Sequence, residues 1–170
     1  MSKKDLENFL NQDMEYAQAN VDWLSQRNEW LCYLEQFYDR VIKWLFRYIE
    51  QGKIQVTRQN ITLNEDHIGS YRTEKLILKL ANKEVSLTPI GTVLIGSKGR
   101  IDMSSSAGEV KFVLVEKDSK GPSKQSMNDR KTQANSLEWK WKISTSPPSI
   151  KFIELNEESF SDALMEVLNV

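Results

Sequence analysis

The chain has 170 residues, enough for one domain with a sizeable core, and 23 Lys and Arg nearly cancel 24 Asp and Glu. That balance excludes a whole-molecule field for nucleic acid or anionic membrane, so any such binding must be local. Cys32 is the one cysteine and His67 the one histidine, which excludes an internal disulfide and any centre built on several histidines.

The opening residues, Met1 to Leu10, hold no apolar run of the signal-peptide kind. No stretch reaches the roughly 18 apolar residues of a membrane span. The expectation is a cytoplasmic protein with no membrane partner.

Residues 1–52 read as helical. Leu6, Phe9, Leu10, Met14 and Ala17 share one helical stripe, and Ser2 with Asp5 forms a capping-box pattern. From about Asp22 to Gln51 the period is stronger. Trp23, Trp30, Phe37 and Trp44 recur every seven residues, as do Leu24, Leu31, Tyr38 and Leu45, while Leu34, Val41 and Tyr48 add a third row. Gly52 stands where a C-terminal cap belongs. Thirty helical residues span roughly 45 Å, about the width of a domain of this size. The helix therefore breaks at the polar run Ser25–Glu29 or projects toward a partner. The aromatic rows predict a core helix; a self-association face is the alternative. Cys32, within those rows, reads as a buried, inert thiol.

Over residues 53–116 the period changes to two. Strands are expected at Lys53–Thr57, Ile61–Asn64, Tyr71–Leu80, Val85–Leu87, Thr92–Ile95, Arg100–Met103 and Val110–Glu116, with hairpin turns at Ala81–Glu84 and Ser104–Gly108. His67 falls in a turn and reads as a surface residue. Residues 117–136 form a polar loop in which Lys117, Lys120, Lys124, Arg130 and Lys131 outnumber the acids. Two strands follow within 137–155, and Phe160, Ala163, Leu164, Val167 and Leu168 mark a closing helix over 157–168 with Asn156 as cap. The expected class is α+β: N-terminal helices packed on a curved, mainly antiparallel meander sheet, with a C-terminal helix, all in a single domain 1–170.

Three stretches invite a chemical reading. Asp102 lies before the turn Ser104–Gly108 and Glu109 and Lys111 after it. The hairpin places Asp102 opposite Lys111 and Glu109 on the same face. Two carboxylates can hold Mg²⁺, and a neighbouring lysine can position water and stabilise phosphate charge. The pattern resembles the core motif of PD-(D/E)XK nucleases, which implies a metal-dependent nuclease-like domain with Asp102, Glu109 and Lys111 as catalytic residues. The spacer is shorter than in that family, the Pro-Asp dipeptide is absent, and a polar loop stands where a helix is expected. The simpler reading is a cross-strand Asp102–Lys111 ion pair worth a few tenths of a kcal/mol.

Glu138-Trp139-Lys140-Trp141-Lys142 interleaves rings and bases as single-strand binders do. With Lys124, Arg130 and Lys131 it forms a candidate nucleic-acid surface without catalysis. Strand alternation offers the plainer account, with Trp139 and Trp141 toward the core and Lys140 and Lys142 toward solvent. Gly91–Gly99 has the order Gly-Ser-Lys and is followed by a strand, so it lacks the helix N-terminus of a phosphate loop and reads as a turn. With no nucleophile–base pair, metal cluster or cofactor loop in view, the leading expectation is a non-catalytic protein-binding or regulatory module. Its partner would be another protein, or a second copy, met through the aromatic helix or the exposed side of the sheet. It would need no cofactor.

Overall fold

A computed structural model describes residues 3–92, 97–121 and 138–170, with side chains described outside 13–22. The helical third is one element, α1 (Lys3–Glu50), 48 residues long and about 72 Å from end to end. The run Ser25–Glu29 does not break it. It holds neither Pro nor Gly, and its polarity marks solvent-facing turns. Helix α1 stops at Gly52, which has a φ of 74°. There the Gly52 N–H donates to the Ile49 carbonyl at 3.0 Å and the Lys53 N–H to that of Tyr48 at 2.9 Å, a Schellman closure.

Seven strands follow in antiparallel sequence order: β1 (Ile54–Glu65), β2 (Gly69–Leu80), β3 (Lys83–Gly91), β4 (Gly99–Ser104), β5 (Glu109–Glu116), β6 (Trp139–Ser144) and β7 (Phe152–Glu154). The sheet is an open meander closed off by α2 (Glu157–Leu168), so the fold is α+β. The two short strands expected at 53–57 and 61–64 are one strand, β1. Its inward side changes along its length, from Ile54 and Val56 to Leu63 and Glu65. The polar run Arg58–Asn60 lies where the twist of the hairpin carries one side over to the other. Of the strand expected at Thr92–Ile95, residues 93–96 lie outside the described residues.

The aromatic rows of α1 supply the core from Trp30 to Leu45, as their spacing predicts, whereas Leu24 and Tyr48 of the same rows are exposed. Trp30, Leu34, Phe37, Tyr38, Val41 and Leu45 are buried against alternate residues of the sheet, among them Leu76, Leu87, Ile101, Met103, Phe112 and Trp141. Each such side chain contributes about 1.5–3 kcal/mol by leaving water. Phe37 packs edge-on against Phe112 at 5.1 Å and tilted against Trp141 at 5.0 Å. Helix α2 closes the same layer. Its Phe160 meets Trp44 at 5.6 Å, and Asn156 caps it by accepting from the Ser159 N–H.

Candidate functional site

The β4–β5 register sets Asp102 directly opposite Lys111 and Ser104 opposite Glu109. Ile101, Met103, Val110 and Phe112 point into the core, so Asp102, Glu109 and Lys111 share the opposite face. The expected cross-strand ion pair is not the one formed. Both carboxylate oxygens of Asp102 accept from Arg100, each at 2.7 Å, along the same strand. Hydrogen bonding to Asp102 pushes the Arg100 guanidinium above its ordinary value, with a smaller contribution from Glu109. Planar two-point pairing explains the choice, because a guanidinium matches a carboxylate better than an ammonium does. Glu109 and Lys111 stay exposed. Among the described residues no three His, Cys, Asp or Glu side chains gather as a metal would need.

On β6 the alternation holds for the rings and fails for one base. Trp141 is buried, in contact with Trp30 and Phe37, and its Nε1 donates to the Tyr33 carbonyl at 3.2 Å. Trp139 is half-buried, with the Lys98 ammonium 4.8 Å above its ring. Lys140 is exposed as expected. Lys142 is not: it is 8% exposed, because the chain leaving β5 folds across it and caps its Nζ with the carbonyls of Lys117 and Ser119. Lys124, Arg130 and Lys131 lie outside the described residues.

Two features escaped the sequence reading. Glu65 is buried where the β1–β2 hairpin turns. Its carboxylate accepts from the Tyr71 hydroxyl and, at 2.7 Å each, from the Thr92 N–H and hydroxyl, while Trp30 Nε1 donates to the Tyr71 oxygen at 3.1 Å. This chain of bonds ties α1 to the hairpin and to the end of β3. His67 is exposed but stacks on Trp23 at 4.8 Å, a second clasp of the hairpin on α1. Cys32 corrects an expectation. It is exposed, because it lies on the solvent side of α1 beside Gln36 rather than with the aromatic rows.

Burial pushes the Tyr38 and Tyr71 hydroxyls well above their ordinary value of 10.0, and for Tyr71 the bond to Glu65 adds to the rise. A phenol with a raised folded-state pKa keeps its proton after the unfolded chain has released it. Its stabilisation is therefore full below about pH 10 and is lost as pH rises further. Urea melts at about pH 8 and pH 11 should show the wild type losing about 1 kcal/mol per buried tyrosine. Tyr38→Phe should lose correspondingly less across that interval.

Apolar surface is left uncovered at the start of α1. Residues Lys3–Gln12 are all exposed, with Leu6 at 59%, Phe9 at 67% and Leu10 at 50%. The first ring contact from the described part of α1 to the sheet side comes at Trp23. About 30 Å of helix precedes it. Much of the aromatic surface expected to meet a partner is thus buried in the core, and the apolar side chains left exposed on α1 are Leu6, Phe9 and Leu10 on the arm and Leu24, Phe46 and Tyr48 beyond it. No helix among the described residues is long and apolar enough to cross a membrane.

Compared with protein-family models, curated proteins and solved structures, the chain has no match.

Proposed function

We propose that the protein is a non-catalytic protein-binding module whose N-terminal helical arm docks an amphipathic helix of another protein. The observation that carries this reading is the exposure of Leu6, Phe9 and Leu10 on a helix that continues past the core. Helices in water owe most of their stability to packing of an apolar face, and the apolar side chains Leu6, Phe9 and Leu10 stay exposed. Its charge supports a basic partner. From Lys3 to Asp22 two bases, Lys3 and Lys4, stand against five acids, Asp5, Glu7, Asp13, Glu15 and Asp22, a net of 2 − 5 = −3. Two such arms side by side would repel, whereas a helix with Lys or Arg flanking its apolar stripe would be attracted.

The test is the triple variant Leu6→Glu, Phe9→Glu, Leu10→Glu. Its folding stability should match the wild type within about 0.5 kcal/mol, because the three side chains lie outside the core. A partner held stoichiometrically by the wild type should be lost, and cross-links from Lys3 and Lys4 to that partner should vanish with it. A wild-type monomer that holds no partner, or a partner equally held by the triple variant, overturns the proposal.

A further inference from the structure

Strand β6 has an open half. β7 pairs only with Lys142, Ile143 and Ser144, so along Trp139, Lys140 and Trp141 the edge away from β5 has no neighbouring strand among the described residues. Among the described residues no hydrogen bond reaches the backbone on that side. The open edge borders a cavity of about 360 Å³. Helix α1 forms one wall through Tyr33, Gln36 and Arg40, and the turn after β5 forms the other through Lys117 and Asp118.

We propose that this groove binds an extended peptide with acidic side chains, which adds to β6 as a strand between it and α1. Unpaired edge N–H and C=O groups are matched by another extended backbone about 4.8 Å away. A groove between a strand edge and a helix is a recurrent place for such addition. Charge selects the side chains. Arg40, Lys117, Lys140 and Lys142 line the cavity against Asp118 and Glu154, an excess of 4 − 2 = 2 positive charges. Lys142 is already capped by carbonyls, and Lys117 lies 3.4 Å from Glu138. Arg40 donates to the Leu155 carbonyl at 3.1 Å and lies over the Trp44 ring, so the exposed Lys140, which has no carboxylate partner among the described residues, supplies most of the attraction.

A single-stranded nucleic acid is the weaker fit. It needs open ring faces, and Trp141 is buried while Trp139 already has the Lys98 ammonium over its ring. The groove is also separate from the arm. It uses the middle turns of α1, so each proposal can fail while the other stands.

The experiment titrates the full chain into four fluorescein-labelled peptides and follows anisotropy. The peptides are Val-Glu-Val-Asp-Val-Glu, the same sequence with lysine at each acidic position, and the acidic sequence with every second backbone nitrogen methylated, made in both registers. The acidic peptide should bind saturably, and more weakly as salt rises. The lysine peptide should bind about tenfold more weakly or worse, as should at least one methylated register. Lys140→Glu should weaken the acidic peptide to a similar degree. Its thermal melt should stay unchanged, since the Lys140 side chain is exposed. Absence of binding, undiminished binding of both methylated peptides, indifference to Lys140→Glu, or tighter binding of a single-stranded oligonucleotide would each overturn the proposal.

Discussion

Gly99→Ala is expected to cost about 3 kcal/mol of folding stability, the upper end of what overpacking usually costs. A Cβ at position 99 would stand 2.1 and 2.2 Å from two carbons of the Trp30 ring. That indole has nowhere to move. It is buried, its Nε1 is bonded to Tyr71 and its flank lies against Trp141. Relief requires either the Trp30–Tyr71–Glu65 chain to break or β4 to lift from β5. In urea the midpoint should fall by about 1–2 M with little change in slope, because the unfolded surface is unchanged. The double variant Gly99→Ala, Trp30→Leu checks the cause. If the clash is responsible, adding Gly99→Ala to a Trp30→Leu background costs much less than adding it to the wild type. Equal costs in the two backgrounds would refute the explanation.

Phe37→Ala should be the most damaging truncation on α1, at about 3–5 kcal/mol. Phe37 sits at the centre of the helix–sheet contact, fully buried against Phe112, Tyr38 and Trp141. Removing the ring gives up its transfer free energy and leaves a void that three neighbouring aromatic rings cannot collapse into. A stability of roughly 5–15 kcal/mol makes such a loss large. The midpoint of thermal unfolding should drop by about 10 °C or more for a chain of this length. Phe46→Ala is the control. It is the same truncation on the same helix, but Phe46 is 53% exposed and should lose about 0.5 kcal/mol or less. Similar losses in the two variants would mean that the buried face of α1 is misassigned.

Much of the architecture was legible along the chain. The seven-residue rows of α1, its stop at Gly52, the alternating strands, the Ser104–Gly108 hairpin and the Asn156-capped last helix all depend on contacts a few residues apart. Periodicity and turn chemistry report those contacts directly. The candidate site was legible only in outline. Spacing placed Asp102 opposite Lys111, yet Arg100 took the carboxylate, because two-point geometry outweighed cross-strand proximity. It put Lys142 on the face opposite Trp141, yet the chain beyond β5 folded over that face and supplied carbonyls for the ammonium. Cys32 shared a helix with buried aromatics and still came out exposed, since being one residue off the inward rows turns a side chain away.

Alone, the sequence determined that a tryptophan-rich helix would lie along an antiparallel meander, because hydrophobic periodicity is a local property that burial must honour. Only the tertiary structure decided which apolar surface was left over. The sheet covers one face of α1 from about Trp23 onward, leaving Leu6, Phe9 and Leu10 bare along with Leu24, Phe46 and Tyr48 on the outer face, and β7 ends before it can cover the first half of β6. Both outcomes depend on where elements distant in the chain end relative to one another, and no local pattern encodes that.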